Sequence, residues 1–543
     1  MRINKTIILS ALLGSALLSS CDNGFEEMNI SPNAPENAPT YTIFPIATKI
    51  FVDEMRDGWV SGRMLLPWVQ YSAQRNYTEE DKYAYRTTTG DQAWNASYRS
   101  LSNLKKVISI CTDPVLGPQQ AAYGDVDTQI AVARIMMAYE FLDLTNYFGD
   151  VPYWSLSGAK NPDFQALQID TYAQPKYVKQ EVIFKNLLQE LKEAEAQLDI
   201  TEKNVFTSPE NKIGDQIYFG DASKWKKFAN SLRLRIANQI KDVYPEAKAE
   251  MQDAIAKGIF TSNEDNALQH YGTSAVEGSP FWSEFFVGNR NDFYVNNQLI
   301  RLLKGQSGNY GVDPRLQKYA APLGTSKANA GSGNYVETDD ITKYQGIPYG
   351  LPSDRLSSNN QVSKVSPFSK TIFSADYAEV LMEYSEVEFL LSENNGWSKS
   401  NYEAGVRASM EKWGVEKAKI DAYIAKLPAP SKENVITQKY IALYMQPQTA
   451  WVEYRRTGYP NGSILLLPGQ TGYEIDGTPY VFTPLVAGMT DLPSRIAYPL
   501  GEQTLNSANW NAAVSAYGGK DPINGKLWWM TCLLYTSDAA DEE

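Results

Sequence analysis

The most restrictive feature of the sequence is a helical period in its apolar residues. Across residues 178–198, Ile183, Leu187, Leu191, Ala194 and Leu198 recur at steps of three and four. Lys185, Glu190, Lys192 and Glu193 alternate in sign elsewhere, so the spacing predicts an amphipathic helix with one solvated face. A second helix is expected to open at Asp221, whose carboxylate suits an N-cap, and to bury Trp225, Phe228, Leu232, Ile236 and Ile240 on one stripe. A third covers about residues 127–147, with Ile130, Ile135, Ala138, Phe141 and Leu142 facing inward. It stops at Phe148-Gly149-Asp150-Val151-Pro152, where glycine and proline end the period.

Ser385 with Glu388 three residues later has the spacing of a capping box. The helix it opens is expected to run to Gly396, with a partner from near Tyr402 to about Trp413-Gly414. Two short helices joined across a glycine form a hairpin. Such hairpins resemble tetratricopeptide units in size, although no clean 34-residue repeat is visible. The expected fold class is therefore all-α dominated, built from tetratricopeptide-like helical pairs. Between about residues 262 and 375 the period fades and Gly, Ser, Asn, Pro and Tyr dominate. Long loops in a compact protein are functional or disordered, and the aromatic content here favours an ordered, ligand-facing region.

The N-terminus reads as an export and anchoring signal. Arg2 and Lys5 precede an apolar run from Thr6 to Leu18, too short to span a bilayer. The run ends in Leu18-Ser19-Ser20-Cys21, the pattern of a bacterial lipobox in which the cysteine is lipidated. Residues 1–20 are thus expected to be a signal peptide, and Cys21 the lipid-bearing first residue of the mature chain. Acyl chains contribute roughly 0.8 kcal/mol per buried CH₂, and two or more hold a protein durably on a membrane. The membrane is expected to be met through this anchor only. Residues 21–40 form a tether rich in Asn, Pro and Glu, able to reach about 60 Å when stretched at roughly 3.3 Å per residue. The body then occupies 41–529 as a single unit.

The residue inventory narrows the chemistry. With 50 Lys and Arg against 63 Asp and Glu, the formal charge is −13. No basic stripe is present, so nucleic acid is not an expected partner. One histidine, His270, and three cysteines, Cys21, Cys111 and Cys532, leave no room for a histidine-dependent triad, a four-ligand zinc site or a disulfide framework. No metal and no cofactor is expected, and only carboxylate chemistry stays open.

Several segments together resemble the SusD/RagB, or SusD-like, lipoproteins of Bacteroidetes. Phe25-Glu26-Glu27-Met28-Asn29 running into Ser31-Pro32-Asn33 is similar to the family's tether. Asn146 to Tyr153, ending Gly149-Asp150-Val151-Pro152-Tyr153, resembles a family motif, as does Trp225-Lys226-Lys227-Phe228-Ala229-Asn230-Ser231-Leu232-Arg233-Leu234-Arg235. Asp313-Pro314-Arg315-Leu316, Tyr384 to Phe389, Trp451 to Pro460, Pro493-Ser494-Arg495, Tyr498-Pro499 and Trp528-Trp529 follow in order. The resemblance implies four tetratricopeptide-like helical pairs carrying a looped half. It also implies an outer-membrane, cell-surface location, a SusC-type TonB-dependent transporter as partner, and capture of oligosaccharide, or in some members peptide. Residues 530–543 depart from this pattern and resemble a translated sequencing adapter, so this tail is expected to be non-native.

Sugar sites set flat aromatic faces against C–H surfaces and flank them with amides, arginines and carboxylates. Two stretches combine these types: Gln74-Arg75-Asn76-Tyr77, and Phe281-Trp282 with Arg290 and Asp292. They are the ligand-binding candidates; no residue is assigned a catalytic role. Trp225, Trp413 and Trp451 are expected to pack in the core, Arg455 and Arg456 to make structural ion pairs, and Cys111 to be a small buried residue. The leading function is glycan capture without turnover. The alternatives are peptide capture by the same fold, or a surface glycoside hydrolase using paired carboxylates, which would require two such groups converging in a cleft.

Overall fold

The computed structural model describes residues 38–210, 213–356 and 362–533. The signal peptide, Cys21, the tether up to residue 37 and residues 534–543 of the tail lie outside the described residues.

Helices dominate. The first six are α1 (Thr40–Met55), α2 (Thr87–Thr112), α3 (Val126–Phe148), α4 (Gln180–Gln197), α5 (Ala222–Gln239) and α6 (Ala247–Lys257). After the looped region, which holds α7 (Pro280–Phe286) and α8 (Asn297–Leu303), come α9 (Tyr384–Asn394), α10 (Lys399–Lys412), α11 (Lys432–Ala442) and α12 (Pro447–Thr457). Successive helices pack as pairs, α1 on α2, α3 on α4, α5 on α6 and α9 on α10, and the pairs are joined where α2 meets α3, α4 meets α5 and α5 meets α9. This serial stacking of hairpins buries one continuous core. Among the described residues no helix is long and apolar enough to cross a membrane.

Local signals set the helix ends. Asp221 caps α5 by accepting from Ser223 N at 3.0 Å, and Asp125 caps α3 by accepting from Thr128 N at 2.7 Å. α3 stops at Gly149, whose φ of +95° suits a residue without a Cβ. Trp225, Trp413, Trp451 and Cys111 are buried as expected.

Four expectations change. α3 is not a one-sided helix: every residue from Thr128 to Phe148 is buried, because α2, α4 and α5 enclose it. Glu190, placed by the sequence on the solvated face of α4, is buried, since Arg134 of α3 reaches across to it with Nε–Oε1 at 2.7 Å. The Ser385–Glu388 capping box does not form. Asn266 supplies the acceptor for Tyr384 N at 2.7 Å instead, and Ser385 donates to Glu383 at 3.2 Å. Arg456 does make ion pairs, with Glu393 and Glu453, whereas Arg455 lies 3.4 Å from the Trp451 ring centroid and donates to the carbonyls of Asn146 and Ser494.

The strands are short and all antiparallel: β1 (Ser72–Gln74) with β5 (Phe293–Val295), β2 (Val151–Pro152) with β3 (Tyr177–Val178), β4 (Ala267–Gln269) with β6 (Glu379–Met382), and β7 (Thr471–Tyr473) with β8 (Pro479–Val481). The looped region from 262 to 375 is anchored to the helical half by two of these pairings, β1–β5 and β4–β6.

Candidate ligand-binding site

The β1–β5 pairing unites the two candidate stretches. Ala73 stands opposite Tyr294 and Gln74 opposite Phe293. The ladder continues as Arg75 N donates to the Asp292 carbonyl at 2.6 Å. Residues that are far apart in the chain therefore share one junction, with residues 75–77 on one side and 289–292 on the other.

Arg63 holds this junction from beneath. It is buried and donates to Gly58 O at 2.5 Å, Glu284 Oε1 at 2.8 Å and Asp292 Oδ2 at 3.0 Å. Its guanidinium lies between the rings of Trp59, at 4.1 Å, and Phe293, at 5.0 Å. Asp292 also accepts from Arg290 Nε at 2.8 Å, so one carboxylate pairs with two arginines and Glu284 supplies the second negative charge. A buried cation needs such pairing, because desolvation otherwise exceeds the Coulomb gain. Asp57 accepts from Trp59 N and Val60 N, both at 2.7 Å, and fixes the turn that presents Trp59. Burial pushes the Asp57 carboxyl up to about 8. Arg86 approaches the same tryptophan at 5.1 Å.

α7 presents two aromatic faces, each made by an i, i+4 pair. Phe281 and Phe285 point inward and pack on Phe293, Phe368 and Phe373. Trp282 and Phe286 are half-buried and stack on each other, with centroids 6.0 Å apart and planes 24° apart. Lys327 steadies the following loop by donating to Phe285 O, Asn289 Oδ1 and Arg290 O. Gly331 approaches the Phe286 ring so closely that a Cβ there would lie 2.4 Å from it. Beyond Gly331 opens a cavity of about 540 Å³ lined by Ser332, Gly333, Lys370, Ser374 and Tyr377.

The candidates thus divide. Tyr77, 43% exposed, and Asn76 face solvent, and Tyr77 is near enough to Arg290 to act on it electrostatically. Arg75 and Trp282 are half-buried and Arg290 is exposed. Two candidates are corrected. Gln74 is buried, its amide donating to Glu80 at 2.7 Å, and Phe281 is fully buried in the α7–β5 core; neither side chain can reach a ligand. Asp292 is buried and committed to Arg63 and Arg290. Composition did not single out Trp59, Arg63 or Phe286. The spacing Phe281-Trp282…Phe285-Phe286 is the signal that could have separated the two faces of α7.

The carboxylates at the junction are engaged rather than poised. Glu284 and Asp292 both pair with Arg63, and Glu80 and Asp81 bond the side chain and backbone of Gln74. Among the described residues no cluster of three or more His, Cys, Asp or Glu could hold a metal ion.

A family profile described as "Starch-binding associating with outer membrane" matches residues 32–473, and one described as "Susd and RagB outer membrane lipoprotein" matches 429–530. The chain belongs to the SusD-like family. Among solved structures, this SusD-like protein is similar to a chitin-binding protein at 27% identity and TM-score 0.69, with 89% of this chain and 99% of that one covered. It also resembles a chitin-binding SusD homologue from Flavobacterium johnsoniae at 23% identity and TM-score 0.68, covering 90% and 98%. A SusD homologue from Bacteroides fragilis matches at 22% identity and TM-score 0.66, covering 91% and 99%. No curated protein matches the sequence.

Proposed function

We propose that this protein captures oligosaccharide at the outer-membrane surface, anchored through a lipidated Cys21, and delivers it without turnover to a SusC-type TonB-dependent transporter. The observation that carries the reading is the half-buried Trp282–Phe286 stack on α7, followed by a loop that Lys327 holds and that bears the exposed Arg290, itself near Tyr77. Aromatic faces take up the C–H surfaces of sugar rings, and neighbouring amide and guanidinium groups bond the hydroxyls. Family membership and the chitin-binding relatives support the same ligand class. The pairing of Glu284 and Asp292 with Arg63 disfavours a hydrolase at this junction, since a general acid or base must be free to exchange its proton.

The test is a titration of the mature chain, carrying Cys21→Ser for solubility, with chitooligosaccharides, other glycans and short peptides, each hit followed by product analysis. Binding without products is expected, weakened roughly tenfold by Trp282→Ala. A hit confined to peptides would move the reading to peptide capture. Cleavage products lost on replacing one carboxylate would overturn it.

A further inference from the structure

A second cavity, of about 370 Å³, lies where α8 meets the loop 462–471 and β7. Arg301, in the last turn of α8, lines it with Gln298, Ser307, Gln470, Thr471 and Tyr473. Arg301 is half-buried, and its side chain makes no hydrogen bond, ion pair or ring contact with any described residue. Every other described arginine has a partner, including Arg75 and the backbone-bonded Arg455. The chain carries a net charge of −13 and could readily have supplied a carboxylate, yet none lines this cavity. The Ser307 hydroxyl is buried without a hydrogen-bond partner among the described residues. The hydroxyls of Thr471 and Tyr473 make no hydrogen bond with any described residue, and Tyr473 is 48% exposed.

A planar guanidinium recognises a carboxylate through two parallel hydrogen bonds, and nearby hydroxyls complete its coordination. We infer that this cavity is a subsite for a carboxylate-bearing ligand, held by Arg301 with Ser307, Thr471 and Tyr473 around it. The carboxylate could belong to an acidic sugar or to a peptide terminus; the recognition chemistry is the same. The inference rests on the capture reading for the nature of its ligand, but the two fail separately. Neutral-glycan binding at the Trp282 face does not involve Arg301.

Calorimetric titration of the mature chain with trigalacturonate, its methyl ester, an alanine tripeptide and that tripeptide's C-terminal amide tests it. One carboxylate-bearing probe is expected to bind at least roughly tenfold tighter than its carboxylate-free counterpart. That preference should weaken with salt and disappear in Arg301→Gln. The member of the set that shows it identifies the source of the carboxylate. Because Arg301 has no protein partner, its replacement should leave the thermal midpoint and the affinity for neutral glycans unchanged. No preference for a carboxylate-bearing probe, or a preference that survives in Arg301→Gln, overturns the inference. So does a variant that loses stability but no affinity, which would make Arg301 a cation stabilising the end of α8.

Discussion

At the scale of single residues, the interior holds carboxyl groups that folding keeps protonated. Glu379 on β6 is buried, and although Arg56 and Lys412 oppose the effect, burial pushes it up to about 8. Asp143 on α3 rises to about 6 for the same reason. The native state therefore holds protons that the unfolded chain releases above its ordinary carboxylate value. The stability these groups contribute is complete below the unfolded pKa and declines as pH rises toward the folded one. For Glu379 the window runs from about 4.5 to about 8, with a slope of at most about 1.4 kcal/mol per pH unit. Urea unfolding of Glu379→Gln at pH 5 and pH 8 should show a smaller loss of stability between the two than the parent does. An unchanged loss would mean that Glu379 is ionised in the folded protein.

At the scale of elements, α7 separates a packing face from the face proposed for recognition within one turn. Phe281→Ala should cost about 3–5 kcal/mol in denaturant unfolding, because it empties a site shared by Phe285, Phe293 and Phe368. Trp282→Ala should cost under about 1 kcal/mol and appear instead in ligand affinity. Equal destabilisation by both would deny α7 its two faces. This element also shows what the sequence could convey. The helices at 180–197 and 222–239 were legible because a 3.6-residue period acts locally, with Asp221 capping the second, whereas the one at 126–148, buried on every side, was legible as a helix but not in its faces. The paired strands β1 and β5 were not, because three residues carry too little alternation and their partner lies far along the chain. The two candidate stretches do meet, along β1 and β5, but composition does not state which way a side chain points. That is why Gln74 and Phe281 were mistaken for surface groups. The Ser385 cap failed for a related reason: a carboxamide from elsewhere, Asn266, took its place.

At the scale of the whole molecule, one buried ionic network ties the later helices to the middle of the stack. Glu393 of α9 accepts from Lys241, just beyond α5, at 2.6 Å and from Arg456 of α12 at 2.7 Å. Glu453 of α12 pairs with the same arginine and with Lys439 of α11. Arg456 and Lys241 hold the Glu393 carboxyl well below the usual range despite its burial. Its stabilising contribution is thus present above the ordinary carboxylate pKa and lost as pH falls through the folded value. Arg456→Ala would leave two buried carboxylates short of a partner and should cost about 3–5 kcal/mol, read as a lower urea midpoint. A change of only a few tenths of a kcal/mol would show that solvent reaches the network.

The strut beneath the ligand junction joins Arg63 to Asp292, 229 positions apart in the chain. The proposed ligand-facing surface therefore lacks this strut on any fragment that ends before Asp292, however well its helical pairs have formed. Binding at the proposed junction would in that sense report finished folding: it requires that the early helices and the looped region have already met.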